Sequence, residues 1–203
     1  QKIERQAKLS DAVAPVVRTR RRATYGNLSM EDAFVTGTTQ AYMMAAGVTL
    51  EDGRFFTMEE SNGGRPVCAI GANVAETLFP REDPLGKVVR VAGHPYTVIG
   101  VLEKQGGLFG TFTSDNLVII PLFSFQSHFG SRRDATIQVN VADVAKMEDA
   151  KIELEGIMRK IRRIAPGKEN DFNINQQELL TQTFAPISLV IASIGLFITG
   201  LSL

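Results

Sequence analysis

The chain has 203 residues, 44% of them hydrophobic, and its 22 basic side chains are balanced by 22 acidic ones for a formal net charge of zero. Neutrality removes the electrostatic footprint of a nucleic-acid binder. A lone cysteine rules out an intrachain disulfide, and with only two histidines beside it the usual zinc ligand sets are out of reach.

The chain opens at Gln1 with no initiator Met and no charged-then-apolar signal segment, so it reads as a piece of a longer protein. Gln1 to Leu9 alternates charge with Ile3, Ala7 and Leu9, which predicts one or two helical turns, broken at Ser10-Asp11. Val13 to Arg18 reads as a strand carrying Pro15, hence an edge or first strand, and Arg20 to Tyr25 extends it to a turn at Gly26-Asn27. The three arginines Arg20, Arg21 and Arg22 invite a phosphate reading. Alternation along a strand sends the middle one to the opposite face, and a solvated edge accounts for them better. Ala33 to Thr36 is a short strand ended by Gly37, and Gln40 to Met44 a brief helical turn.

Met58 to Arg65, with Asn62-Gly63-Gly64, is expected to be a turn. Pro66 to Ile70 reads as an apolar strand in which Cys68 acts as a small hydrophobe, and Ala72 to Phe79 has helical spacing. Asp83-Pro84-Leu85-Gly86 stops the chain. Val88 to Val91 and Tyr96 to Leu102 then flank Gly93-His94 as a β-hairpin. Gly106 to Ser114 is a glycine-rich loop that carries Phe109 and Phe112. Leu117 to Ile120 is a buried strand, and Leu122 to Phe129 a short helix.

Thr136 to Val141 alternates as a strand, and Asp143 is an N-cap for the longest helix before the tail. Met147, Ala150, Leu154, Ile157, Met158, Ile161 and Ile164 keep the helical period as far as Pro166-Gly167. Its early Glu148 and Asp149 and its late Arg159, Lys160, Arg162 and Arg163 complement the helix dipole, so the basic cluster needs no nucleic acid. Phe172 to Asn175 is expected as a strand, completing a strand-helix-strand unit, and a helix is expected from about Gln177 into the tail.

The tail itself carries no charge from Leu179 to Leu203, and Pro186 to Leu203 holds ten Ile, Leu, Val or Phe. Together these favour a bilayer by roughly 3 to 6 kcal/mol. As a helix the stretch would be about 27 Å long against a hydrocarbon core of roughly 30 Å, so it reads as the start of a transmembrane helix. A buried C-terminal helix is the alternative.

The search for chemistry returns no catalytic residue, no cofactor site and no metal site. Gly86-Lys87 is not a phosphate loop, because Arg81 and Val88 stand where that motif needs Gly and Ser or Thr. Ser127-His128 has no nucleophile elbow. The carboxylate pairs Glu51-Asp52, Glu59-Glu60 and Glu82-Asp83 sit in polar segments where solvation is their expected role.

The order of the middle segments carries more than any one residue. Gly53-Arg54-Phe55-Phe56, Val67-Cys68-Ala69-Ile70-Gly71, Leu78-Phe79, Asp83-Pro84-Leu85-Gly86-Lys87 and Tyr96-Thr97-Val98-Ile99-Gly100-Val101-Leu102, followed by an apolar tail, resemble the periplasmic core domain of MacB-type ABC transporter permeases. Cys68 in place of an aliphatic residue, and Pro80-Arg81-Glu82 where a Gly often follows Leu-Phe, depart from the commoner pattern. The resemblance implies an α+β, two-lobed periplasmic domain over residues 1–185, ahead of a transmembrane helix starting within 186–203. A porter-like lobe would take about 1–36 and 115–178, and an inserted, mostly β lobe about 37–114.

It further implies an inner-membrane protein with this domain on the periplasmic side, a paired or homodimeric permease, and a cytoplasmic ABC ATPase domain on the same or another chain. In tripartite members a periplasmic adaptor and an outer-membrane channel complete an efflux machine for macrolides or peptides. Relatives extract lipoproteins, and FtsX-like relatives regulate cell-wall hydrolases. Phe109 and Phe112 are the candidate partner contacts. A membrane-tethered periplasmic enzyme is the reading from a different class, and it would need a convergent polar site that the sequence does not display.

Overall fold

The structure, a computed structural model, describes residue 3 and residues 6–104, 114–130 and 135–175. Phe109, Phe112 and the apolar stretch 186–203 lie outside them, as does the helix expected from Gln177. No helix among the described residues is long and apolar enough to cross a membrane. The chain divides into two compact units, Gln1–Leu154 and Glu155–Leu203.

In the first unit the described elements run in the order β1 (Ala12–Tyr25), β2 (Leu28–Thr38), α1 (Tyr42–Ala46), β3 (Leu50–Gly53), α2 (Met58–Gly63), β4 (Val67–Ile70), α3 (Ala72–Leu78), β5 (Val88–Val91), β6 (His94–Leu102), β7 (Leu117–Pro121), α4 (Leu122–Phe129) and β8 (Thr136–Asn140). α5 (Met147–Arg162) starts in this unit and continues into the next. Hydrogen bonding links β2, β7, β4, β6, β5 and β1 in that order, and β1 also pairs with β2. The ladder therefore closes on itself as a six-stranded ring. β3 joins alongside β6, and β8 alongside the first half of β1.

The ring explains the continuous apolar runs. Along β4, Cys68 and Ile70 enter one core and Ala69 the other; along β7, Val118 and Ile120 part in the same way from Leu117 and Ile119. Both faces of these strands are buried, so the sequence is apolar throughout instead of alternating. All six ring strands contribute to the first core, Val17, Val35, Ile70, Val89, Val98 and Ile120 among them, with Val74 and Leu78 of α3 and Phe125 of α4 added. Fully burying such a side chain stabilises by roughly 1.5–3 kcal/mol. The second core gathers Ala14, Val16, Tyr42, Phe56, Leu102 and Ile119.

β1 is the strand that changes partners. Residues 12–16 pair with β8 and residues 17–25 with β2, and the change falls just after Pro15. Thr38 Oγ1 donates to the Pro15 carbonyl at 2.7 Å, occupying an acceptor at the crossing point. β2 runs through Gly37 to Thr38 instead of stopping before it. Gly37 is required because a Cβ there would lie 2.4 Å from Phe125 Cβ. The pairings of β7 with β2 and with β4 join residues on both sides of the expected lobe boundaries at 36/37 and 114/115.

Further sequence expectations are corrected. Met58–Gly63 is a helix, not a turn: Thr57 and Glu60 form a reciprocal capping box, and Gly64 closes the helix in the left-handed conformation. Residues 172–175 form no strand, since none of them enters a ladder, so the strand-helix-strand unit is not completed. Asp143 caps a short 3-10 turn, Val144–Lys146, that leads into α5.

In the second unit α5 ends earlier than Pro166-Gly167. Arg163 takes a left-handed φ of 56°, and Ile164 N–H returns to the Arg159 carbonyl at 3.0 Å. Arg159 donates to the carbonyls of Ala165 and Lys168, and Arg162 pairs with Asp171 at 2.7 Å. Two of the four clustered cations therefore organise the turn that follows their own helix.

Candidate functional site

Of the segments that carry the family resemblance, Gly53-Arg54, Leu85-Gly86 and Ile99-Gly100 meet at one crossing. Gly53 ends β3 with φ at 77°, and a Cβ on it would lie 2.4 Å from the Ile99 carbonyl oxygen. Gly100 of β6 faces it from the other side, where a Cβ would lie 2.5 Å from the Arg54 carbonyl oxygen. Two backbones touch because neither carries a side chain there. Arg54 N–H donates to the Ile99 carbonyl at 2.8 Å, locking the approach.

From this crossing the chain turns into α2. The Arg54 guanidinium reaches Glu60 through two nitrogens, at 2.8 and 2.9 Å, while Glu60 also accepts from the Thr57 N–H at 2.9 Å. Those bonds, Arg54's first, outweigh burial and hold the Glu60 carboxyl down at about 2. Glu60 is thus buried and paired, not a solvated turn carboxylate. Phe55 and Phe56 stack at 4.0 Å, and Phe56 enters the second core.

The Asp83-Pro84-Leu85-Gly86-Lys87 segment closes the opposite side of the crossing. Asp83 Oδ1 accepts from Leu85 N–H at 2.8 Å, Gly86 turns with φ at 76°, and Gly86 N–H donates to Val98 of β6. Leu85 packs against the first core, and its Cδ2 would lie 2.9 Å from a Cβ on Gly53. Lys87 pairs with Glu82 at 2.7 Å in an exposed ion pair.

Residues 105–113, with Phe109 and Phe112, lie outside the described residues, and the chain on either side of them makes defined contacts. On the incoming side Glu103 N–H donates to the Thr49 carbonyl and the Thr49 hydroxyl to the Glu103 carboxylate. Lys104 pairs with Glu76 of α3 at 2.8 Å, and Asp115 and Glu51 also act on its charge. On the outgoing side Asp115 is buried, Asn73 of α3 donates to Asn116 Oδ1 at 3.1 Å, and Gly71 N–H donates to the Leu117 carbonyl. α3 therefore contacts the chain on both sides of residues 105–113.

The three arginines part company. Arg20 lies 4.6 Å over the Phe34 ring, Arg21 lies 5.8 Å from the Phe129 ring centre, and Arg22 pairs with Glu31 at 2.9 Å. Cys68 is fully buried, and burial pushes its thiol far up. Among the described residues no group of three His, Cys, Asp or Glu gathers to hold a metal. Sequence reasoning missed the meeting of His94 with His128, whose rings stack at 4.0 Å; nothing in their local sequences signals it.

Residues 1–157 match the family described as MacB-like periplasmic core domain. The macrolide export ATP-binding/permease protein MacB of Bdellovibrio bacteriovorus is 29% identical over 189 residues, covering 90% of this chain and 29% of its own length. The pyoverdine export ATP-binding/permease protein PvdT of Pseudomonas aeruginosa is 27% identical, covering 87% of this chain and 27% of its own. The chain thus spans under a third of the length of either relative. Among solved structures, the periplasmic region of MacB from Actinobacillus actinomycetemcomitans superposes with a TM-score of 0.71 at 23% identity, over 87% of this chain and 77% of that one. The chain belongs to the MacB-like periplasmic core domain family.

Proposed function

We propose that this domain is the extracytoplasmic part of an ABC transporter permease that converts cytoplasmic ATP hydrolysis into periplasmic motion and export, in concert with an adaptor protein. The observation that carries the reading is the family match over residues 1–157, supported by relatives that are named as export ATP-binding/permease proteins. The parent protein sits in the inner membrane as a dimer or paired permease, with this domain on the periplasmic side and the ATPase on another domain or subunit. The adaptor links it to an outer-membrane channel.

Gly53, Arg54, Glu60 and Gly100 are occupied with holding the fold. Residues committed to backbone approach and helix capping are poor cargo selectors, so the common architecture serves as a transmission part while cargo is chosen elsewhere. The segment between Lys104 and Ser114 is the surface proposed for the adaptor, through Phe109 and Phe112. The division into lobes over 1–36 with 115–178 and over 37–114 is part of this proposal, the two being joined through the pairings of β1 with β5 and of β4 with β7.

The test is to solubilise the full-length parent protein from its native membrane and identify what copurifies. An ATPase together with a periplasmic adaptor supports the proposal. An ATPase without an adaptor shifts the reading to lipoprotein release or hydrolase control. Absence of an ATPase from both the parent chain and its partners overturns it.

A further inference from the structure

The chain has two histidines, far apart in sequence, and the fold lays one on the other. His94 opens β6 immediately after the β5–β6 turn, and His128 lies in the last turn of α4. Their rings stack at 4.0 Å between centroids and 7° from parallel. Phe129 stands edge-on to both, at 5.9 and 6.2 Å.

Behind the stack is a buried polar relay. Tyr96 is fully buried, its Oη lies 2.6 Å from His128 Nδ1, and Ser124 Oγ donates to that same Oη at 3.3 Å. With its oxygen accepting from Ser124, the Tyr96 hydroxyl donates to Nδ1 of a neutral Nε2–H imidazole or accepts from Nδ1–H of a charged one. Partial burial, and then the neighbouring His94, hold the His128 imidazolium below its ordinary range.

The surroundings offer little to offset a second charge. Arg21 of β1 approaches through Phe129, and Arg90 of β5 donates to the Gly93 carbonyl beside His94. Tyr96 on β6, and Cys68 on β4 behind it, are the neutral titratable neighbours. α2, which also packs on α4, carries Glu59 and Glu60, with Arg65 just past its end and Glu60 committed to Arg54; β2 carries Glu31, committed to Arg22, and Asp32. Among the described residues no carboxylate bonds to either imidazole, and the neighbouring His94 disfavours charge on His128.

We propose that the His94–His128 stack is a proton-operated clasp, which fastens the end of α4 to the β5–β6 hairpin while at least one ring is neutral and releases it when both are charged. Two parallel imidazolium rings in van der Waals contact repel each other, and nothing in the relay neutralises them. The C-terminal turn of α4 is the part set free, since Leu122 and Phe125, the latter seated on Gly37 of β2, hold the rest of the helix in the first core. The inference does not depend on the transport reading.

The test is a proton NMR titration of the two imidazoles in the full chain, with hydrogen exchange of the α4 amides from about pH 7 to about pH 5, the range in which histidine changes charge. The expected result is two protonation steps at least about one pH unit apart, with protection of the C-terminal turn of α4 falling about tenfold as the second occurs. In His94→Phe, which keeps a ring and removes the charge, protection should stay level within about twofold; His94→Gln serves if the ring variant fails to fold. Independent titration of both rings, separated steps with no loss of protection, or equal loss in wild type and variant would each overturn the clasp.

Discussion

Arg54 and Glu60 meet as a two-pronged pair, with nitrogen-oxygen distances of 2.8 and 2.9 Å, across the entry to α2. The carboxylate is buried while the guanidinium remains about half exposed, at 55% of its side chain. Their bond therefore stands between a surface ion pair and a buried one.

Glu60→Gln keeps the shape and an acceptor but removes the charge, and should cost roughly 1–3 kcal/mol at neutral pH after allowance for the solvent around Arg54. The sign of the pH dependence follows from the depressed carboxyl. The folded chain holds Glu60 at about 2, against an ordinary value of 4.5. The pair's contribution is complete above the ordinary value and is lost as pH falls through the folded one. Urea midpoints of wild type and variant should therefore differ most at neutral pH and converge towards pH values of about 2. A constant gap would mean that the charge contributes nothing.

The crossing of Gly53 and Gly100 gives a prediction about backbone approach. Gly100→Ala puts a Cβ 2.5 Å from the Arg54 carbonyl, where only backbone movement can relieve it. A loss of more than about 2 kcal/mol is expected, as for other overpacked sites. Gly86→Ala is the control: its φ is 76°, but nothing lies within 4 Å of the added carbon. That variant should lose only the left-handed penalty of about 1–2 kcal/mol. Equal losses at the two sites would show that contact at the crossing is unimportant.

Much of this architecture was legible because its signals are local. The hairpin at Gly93-His94, the helix over 72–79 and the buried strand at 117–120 each follow from turn chemistry or apolar spacing within about ten residues. α2 was missed for a local reason as well. Asn62-Gly63-Gly64 looked like a turn, while Thr57 and Glu60, three positions apart, already spelled the capping box. Closure of the ring was not legible, because it depends on β1 changing partners after Pro15, a matter of register with β8 and β2. Nor was the meeting of His94 with His128, which exists only once α4 docks on Gly37.

The β5–β6 turn contains a residue at odds with its conformation. Ala92 has φ at 49° and Gly93 φ at 88°, the pair of positive angles of a two-residue hairpin turn that favours Asn-Gly. Ala92→Asn should raise stability by about 0.5–1 kcal/mol, since the short amide tolerates this region better than a methyl group. Thermal melting of the two proteins side by side measures it. A fall in midpoint would show that Ala92 makes a packing contribution larger than its strain.

If the segment between Lys104 and Ser114 is the adaptor surface, its aromatic rings should matter to binding and not to folding. Phe109→Ala and Phe112→Ala should each weaken adaptor association severalfold, read by pull-down from the solubilised full-length complex, and leave the urea midpoint of the domain unchanged. Lowered stability with intact binding would place both rings in the core and move the proposed interface elsewhere.

The last prediction concerns how the domain and the membrane would act on each other. In the sequence no charge intervenes between Leu179 and Leu203, and no long linker separates Asn175 from that apolar run. A stroke is transmitted only through a connection that resists bending. A Gly/Ser-rich insertion behaves as a random coil whose ends move independently over several residues. Placed after Gln177 in the full-length protein, such an insertion should abolish transport while ATP hydrolysis by the complex continues. Hydrolysis is the readout that separates uncoupling from collapse: if both activities vanish, assembly has failed, and a proline-rich insertion of equal length, which stays stiff and extended, becomes the comparison. Transport that survives the flexible insertion would reject mechanical coupling through this junction, and with it the view of the domain as a transmission part.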